Sequence, residues 1–312
     1  SNTLQMKNIV SLTDGSTIPN IRKNYTVTDK ADGARKMLYI SSKKKVYLID
    51  TNMNVQYTGT KVSTDTFNNT LLDGEHILHN KSGKYINLYA AFDIYFLSNK
   101  DIRQLPFLPI EKRDKEKKEI KKIEGRLPLL NKTIQALKLE GVSKNDIIMR
   151  IQAKSFYSTS AEQTIFQACN TVLQKEKSKL FEYNTDGLIF TPTLLGVGAN
   201  HATDKPKSRK VTWDYSFKWK PPEHNTIDFL VTITRGDTGA PSIGNMFQSG
   251  KDMSAVSQLV QYKTAILRVG YDQKRHGYLN PCQQVISSHV WSRTIIVFTS
   301  WVLFNMLIHI CK

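Results

Sequence analysis

Residues 25–35, YTVTDKADGAR, hold the stretch on which the reading turns. Its first half, Tyr25 to Asp29, alternates aromatic or β-branched residues with polar ones and predicts a strand. Its second half, Lys30-Ala31-Asp32-Gly33-Ala34-Arg35, places a lysine, a glycine and an arginine at the end of that strand. A lysine amine becomes a nucleophile when burial or neighbouring cations lower its pKa. Gly33 lets a backbone come close to a ligand, and the planar fork of Arg35 suits a phosphate or a ribose. A surface turn would account for the same six residues, so the meaning depends on what surrounds them.

Outward from this stretch the strand signals continue. KMLYIS follows at once, and KKKVYLID with a turn at 51–54 and VQYTG predicts a hairpin. TLLDGEHILH and YINLYAAFDIYFL predict two more strands, separated by the turn residues Asn80 to Gly83. The pattern then changes. Residues 111–122, EKRDKEKKEIKK, predict an exposed helix laced by i,i+4 pairs, with an RNA-facing basic surface as the competing reading, and a helical pattern runs on to about Leu139. A second helix is expected in SAEQTIFQACNTVLQKEKSKLFE, opened by a capping box of Ser160 and Gln163. DGLIFTP, a Gly/Asn/Lys-rich loop at 196–210, and TWDYSFKWKPP follow, with Pro221-Pro222 as a hinge. Beyond it, IDFLVTITRGD and YKTAILRVGYD predict a small second β domain.

Composition narrows the class. The chain has 312 residues, 40% hydrophobic and 23% charged, which excludes disorder and collagen-like structure. Cys169, Cys282 and Cys311 are too few and too scattered for a disulfide framework or a four-ligand zinc site, so a reducing compartment is expected. Forty-four Lys+Arg against 27 Asp+Glu give a net charge of +17, which favours a polyanionic partner. Ser1 to Asn8 is polar and resembles no signal peptide, and the missing initial Met suggests a processed product or an excised fragment. The apolar run 295–311 reads as a short membrane anchor, a buried helix or strand pair, or a non-native tail.

Further chemistry-bearing residues follow in order. Asp73-Gly74-Glu75 puts acidic residues straight after a strand, and Phe92-Asp93 lies in an apolar strand where the ring could stack on a purine. Asp186 opens the strand DGLIFTP, and Lys218 and Lys220 share one strand face because side chains repeat with period two. Two amines with carboxylates from other strands suit a triphosphate and its divalent metal. Each element alone has an ordinary explanation: a turn, a core ring, an edge-strand lysine. Their common order is the argument.

KADGAR, LLDGE, AAFDIYF, TDGLIFTP and FKWKP resemble motifs I, III, IIIa, IV and V of the covalent nucleotidyltransferases, the mRNA capping guanylyltransferases and polynucleotide ligases. DGLIFTP and FKWKPPEHNTIDF look like capping enzymes, and with YKTAILRVGYD and LNPCQ downstream the chain is similar to those of large cytoplasmic DNA viruses of poxvirus, asfarvirus and mimivirus type. The resemblance implies an α+β nucleotidyltransferase fold of antiparallel sheets with flanking helices over 1–222, an incomplete OB-like domain over 223–286, and an apolar tail over 287–312. GTP would lie between the sheets, with the β domain closing over it as a lid.

The same resemblance implies roles for individual residues. Lys30 would attack the α-phosphate of GTP and carry GMP, while Lys218 and Lys220 would neutralise charge on that phosphate. Asp32, Gly33, Arg35 and Glu75 would contact the nucleotide, Phe92 would stack on guanine, and Asp186 with Glu75 would hold a Mg²⁺ or Mn²⁺ ion. A 5′-diphosphate RNA would accept the GMP, with triphosphatase and methyltransferase modules elsewhere in the full-length protein. The expected setting is the host cytoplasm, in a viral factory or virion, if the protein is viral, and otherwise the cytoplasm; a membrane partner is not expected. Motif VI is not found, and Trp291-Ser292-Arg293 is a poor substitute for it. The alternatives are an ATP-dependent RNA or DNA ligase using lysyl-AMP, and a catalytically silent RNA-binding module of a capping assembly.

Overall fold

The computed structural model describes residues 1–12, 17–113, 120–142, 148–160, 162–206, 212–222, 230–247, 259–268 and 296–298. The chain divides into two compact units, 1–224 and 225–312. In the first, the order is β1 (Asn2–Thr3), β2 (Tyr25–Ala31), β3 (Ala34–Ile40), β4 (Lys45–Ile49), β5 (Val55–Val62), β6 (Thr70–His79), β7 (Tyr85–Leu97), β8 (Lys100–Asp101), β9 (Ile110–Arg113) and β10 (Ile120–Ile123). Then come α1 (Arg126–Ala136), β11 (Leu139–Gly141), β12 (Arg150–Ala153), β13 (Tyr157–Ser158), α2 (Ile165–Lys177), β14 (Thr185–Pro192) and β15 (Phe217–Trp219).

Two large sheets carry the unit. One has five strands in the order β1-β15-β14-β2-β13; the other has eight, β11-β5-β4-β3-β6-β7-β12 with β8 on β7. Both are antiparallel except at β1–β15 and β7–β12. The antiparallel sheets with flanking helices are those expected from the sequence. Alternation builds the larger sheet: Leu38 and Ile40 of β3 and Val46 and Leu48 of β4 are buried and pack with Leu127 and Leu130 of α1. The smaller sheet packs Val27, Leu188, Phe190 and Phe217 against Ile165, Ala168 and Val172, which the helical repeat sets on one face of α2. Arg126, at the first turn of α1, is fully buried and forks onto Asp93 of β7 at 2.8 and 3.1 Å. A buried arginine survives only with such pairing.

Several expectations are corrected. The run 111–122 is no helix at its ends: β9 and β10 pair antiparallel, Ile110 opposite Ile123, while 114–119 lie outside the described residues. The β-branched isoleucines flanking the charges set the local preference there. The helix after them ends at Ala136, and Leu139 opens a strand paired with β5. The capping box of α2 is Thr164 with Gln167, one turn later than expected. The sequence repeats the same Ser/Thr-x-x-Gln pattern at 160–163 and 164–167, and Ser160 instead makes a turn whose hydroxyl accepts from the Glu162 amide. Asp73-Gly74-Glu75 lies inside β6, not after it.

The second unit contains β16 (Leu230–Ile233), β17 (Ile243–Phe247), β18 (Leu259–Lys263), β19 (Ala265–Arg268) and β20 (Ile296–Phe298). They form a three-stranded sheet, β16-β19-β20, and the hairpin β17–β18, all antiparallel. β17 lies between IDFLVTITRGD and YKTAILRVGYD, outside the two segments in which the sequence predicts strands. Three residues of the apolar tail thus enter a sheet; LNPCQ, Trp291 to Arg293 and residues 299–312 lie outside the described residues. Among the described residues no helix is long and apolar enough to cross a membrane.

Candidate active site

Lys30 stands near the end of β2, and its neighbour β14 is bulged beside it. Thr185 pairs with Ala31 and Leu188 with Asp29, so Asp186 and Gly187 together oppose Lys30. A bulge re-aims side chains, and this one brings Asp186 Oδ1 to 2.5 Å from Lys30 Nζ. Lys220, just past β15, holds the other oxygen at 2.8 Å. Gly187 makes the bulge possible: its φ is +142°, and a Cβ there would sit 2.0 Å from the Trp219 carbonyl oxygen. Burial pushes the Asp186 carboxyl up, but the hydrogen bonds from Lys220 and Lys30 outweigh it and hold the group below its ordinary value.

A second cluster sits on the larger sheet. Arg35 on β3 forks onto Asp73 of β6, Nε to Oδ1 at 3.0 Å and Nη2 to Oδ2 at 2.6 Å, and the Tyr95 hydroxyl donates to the same carboxylate at 2.6 Å. Asp73 is fully buried, and its hydrogen bonds raise the Arg35 pKa above the usual value. Phe92 is the extra residue of a bulge in β7, because Asp73 pairs with Asp93 and Gly74 with Ala91. Its ring lies 5.9 Å from the Arg35 guanidinium. Gly74 clears the space that the Tyr89 ring fills; a Cβ would lie 2.6 Å from that ring.

Glu75 connects the two clusters electrostatically. Burial pushes its carboxyl up to about 7, Lys154, Lys30 and Arg35 oppose the shift, and among the described residues its buried Oε2 has no hydrogen-bond partner. Lys154 is itself buried, with Nζ 3.0 Å from Asp29 Oδ2 and a further hydrogen bond to the Asp29 carbonyl. Burial lowers its amine, and Asp29 and Glu75 pull the other way. Tyr183 also donates to Asp29, at 3.2 Å.

The structure thus brings Lys30, Asp186 and Lys220 into direct contact and sets Arg35 against Phe92, with Glu75 in electrostatic reach of Lys30 and Arg35. Lys218 and Asp32 stand outside the ion cluster. Lys218 pairs through its backbone with Ile189 and Thr3; Asp32 is exposed, its amide donating to the Asn184 carbonyl at 2.8 Å. Gly33 makes its close approach to β6: a Cβ would meet the His76 carbonyl at 3.0 Å. Sequence reasoning named Asp73 within its motif but gave it no role, and it missed Tyr95, Asp29 and Lys154. The β3–β6 register sets Arg35 opposite Glu75 and Met37 opposite Asp73, so the Arg35 fork reaches Asp73 diagonally across the strand pair; no local pattern marks Lys154.

Residues 8–222, which contain both clusters, match the family described as mRNA capping enzyme, catalytic domain. The chain belongs to that family. Similar capping-family proteins include an mRNA-capping enzyme of Danio rerio, 27% identical over 264 residues, covering 79% of this chain and 38% of the relative. A probable mRNA-capping enzyme of Acanthamoeba polyphaga mimivirus is 27% identical over 271 residues, covering 78% and 22%. An mRNA-capping enzyme subunit alpha of Schizosaccharomyces pombe is 29% identical over 229 residues, covering 68% and 49%. The chain therefore spans less than half the length of these relatives. Among solved structures, a mycobacterial DNA ligase D complexed with ATP and MES aligns over 79% of this chain and 66% of its own, at 12% identity and a TM-score of 0.38.

Proposed function

We propose that this chain is the guanylyltransferase part of an mRNA-capping protein, moving GMP from GTP to a diphosphate-ended RNA through Lys30. The observation that carries the reading is the ion cluster: inside the family match, the KADGAR lysine lies 2.5 Å from Asp186, which Lys220 also holds. In the first step the neutral Lys30 amine attacks the α-phosphorus, a P–N bond forms, the bond to the bridging oxygen breaks and pyrophosphate leaves. Asp186 is placed to take the proton that the ammonium must lose. In the second, a terminal phosphate oxygen of the RNA attacks the same phosphorus, the P–N bond breaks, and Lys30 recovers its proton. Lys220 supplies fixed positive charge as negative charge builds on the phosphate, and Lys218, outside the ion cluster, would add to it once substrate is bound.

A divalent ion fits this site only as a partner of the substrate. Among the described residues no group of three His, Cys, Asp or Glu could hold a metal. The carboxylates that would hold it are Glu75, whose Oε2 has no hydrogen-bond partner among the described residues, and Asp186, whose oxygens now face Lys30 and Lys220; one or two carboxylates are typical of Mg²⁺ that is otherwise held by phosphate and water. Such an ion would neutralise phosphate charge. The length of the relatives beyond this chain leaves room for triphosphatase and methyltransferase modules that make the diphosphate end and finish the cap.

The test is incubation with labelled GTP or ATP and Mg²⁺ or Mn²⁺, followed by a denaturing gel. GTP is expected to give an acid-labile covalent adduct that is absent from Lys30→Ala. An adduct of full yield in that variant, or labelling by ATP alone, would overturn the assignment.

A further inference from the structure

The larger sheet has an apolar outer face that no core explains. On β3 and β4 the residues turned to the core, Leu38, Ile40, Val46 and Leu48, are at most 2% exposed. The alternate positions would ordinarily be polar where a sheet meets water. Instead they are Met37, Tyr39, Tyr47 and Ile49, half-buried, and the register continues them across β5. Met37 pairs with Ile49 and Ile49 with Val55; Tyr39 pairs with Tyr47 and Tyr47 with Tyr57. Val55 is 63% exposed and Tyr57 38%. The Tyr47 and Tyr57 rings lie 5.3 Å apart, and the Lys45 ammonium stands 5.4 Å from the Tyr57 centroid.

This face leads away from the active site. Arg35 precedes Met37 and Tyr39 on the same face of β3, since side chains repeat with period two. A pocket of about 360 Å³, lined by Arg35, Met37, Ile49, Tyr95, Arg103 and Trp213 among others, joins the motif arginine to the Met37–Ile49 pair, which the tyrosines follow on the same strands. Asp50 in its lining is already engaged, accepting from Asn52 and Asn54 of its own turn. From Arg35 to Tyr57, strand rise and strand spacing give roughly 15 Å.

We propose that this face is the track for the leading nucleotides of the acceptor RNA, a proposal that rests on the guanylyltransferase reading. An RNA whose diphosphate end reaches Lys30 must lead the rest of its chain out along the protein. Aromatic rings take any base by stacking, so the track is sequence-tolerant, as a capping acceptor site requires. Lys45 beside Tyr57 supplies the cation, and the +17 net charge of the chain draws the polyanion to it. A protein partner would be the other way to cover an apolar face, but the row of rings with a cation over the outermost one favours bases.

The test uses the full chain charged with labelled GMP, offered either a diphosphate-ended RNA of about a dozen nucleotides or a diphosphate-ended dinucleotide too short to reach Tyr57. Tyr57→Ala and Lys45→Ala are expected to form the lysyl adduct at the wild-type rate. Their KM for the longer RNA should rise, roughly ten-fold or more for Tyr57→Ala, with the dinucleotide unaffected and Tyr57→Trp restoring the wild-type value. An unchanged KM for the longer RNA with normal adduct formation overturns the track and leaves the face to a protein partner. If the wild type forms no adduct, the guanylyltransferase reading fails separately. Binding of the longer RNA by fluorescence anisotropy then decides the track alone, and equal affinity in wild type and Tyr57→Ala overturns it.

Discussion

Glu75 and Asp186 are two carboxylates of one site in opposite environments. Ammonium groups hold Asp186 low, whereas burial pushes Glu75 up to about 7, and one of its oxygens has no hydrogen-bond partner among the described residues. Separated pKa values of this kind mark residues poised for different duties. The shift also has a stability consequence with a definite sign. The folded chain holds the Glu75 proton more tightly than the unfolded chain, whose ordinary value is 4.5. That contribution is complete below about pH 4.5 and is lost as pH rises through about 7. Thermal melts should therefore show wild type losing stability relative to Glu75→Gln between those values, by a few degrees at most because the residue is only partly buried. A difference that stays flat with pH would assign the titration elsewhere.

At the level of elements, the bulge in β14 is the device on which the ion cluster depends. Gly187→Ala would force a Cβ to within 2.0 Å of the Trp219 carbonyl at a φ of +142°, so the bulge must shift and carry Asp186 with it. The expected result is a loss of about 3 kcal/mol or more of stability, with lysyl adduct formation falling in parallel, read by denaturant melts and labelling. A variant that keeps both would show that the bulge tolerates a side chain. The cap of α2 gives a sharper comparison. Thr164→Ala should cost about 1 kcal/mol and Ser160→Ala close to nothing, because the Thr164 hydroxyl accepts from the Gln167 amide while Ser160 serves only a turn. These two elements also show where the sequence was legible. The strands β2 to β7 follow from alternation and turn residues, and the ordered motifs pick out Lys30, Arg35, Phe92, Asp186 and Lys220. What escapes is register. The bulges that aim Asp186 and Phe92, the contact of Arg35 with Asp73, and the ion pair of Lys154 with Asp29 are set by how distant strands align, which no local pattern encodes. The run 111–122 misleads for a related reason: charges spaced for i,i+4 pairs permit a helix, but the flanking isoleucines find strand partners in each other.

Over the whole molecule, charge and composition indicate a polyanionic partner, and the second unit is where sequence says least. Its tail mimics a short membrane span, yet Ile296 to Phe298 pair with Leu267 to Ala265 and give β19 its second neighbour. Each described sheet lies wholly within one unit, so a cut in this tail has a confined structural effect. Removing residues 287–312 strips β19 of β20 and leaves it only β16. The lost ladder is short, a matter of roughly 1–3 kcal/mol, and it falls on the smaller sheet alone. Calorimetry of the truncated chain should show the transition of the second unit lowered or broadened and that of the first unchanged, since multidomain chains need not unfold as one. The cut also removes the apolar run 295–311, so the shortened chain should associate less. If the first transition falls as well, the tail supports the catalytic unit itself; if neither moves, the pairing of β20 contributes nothing to the fold.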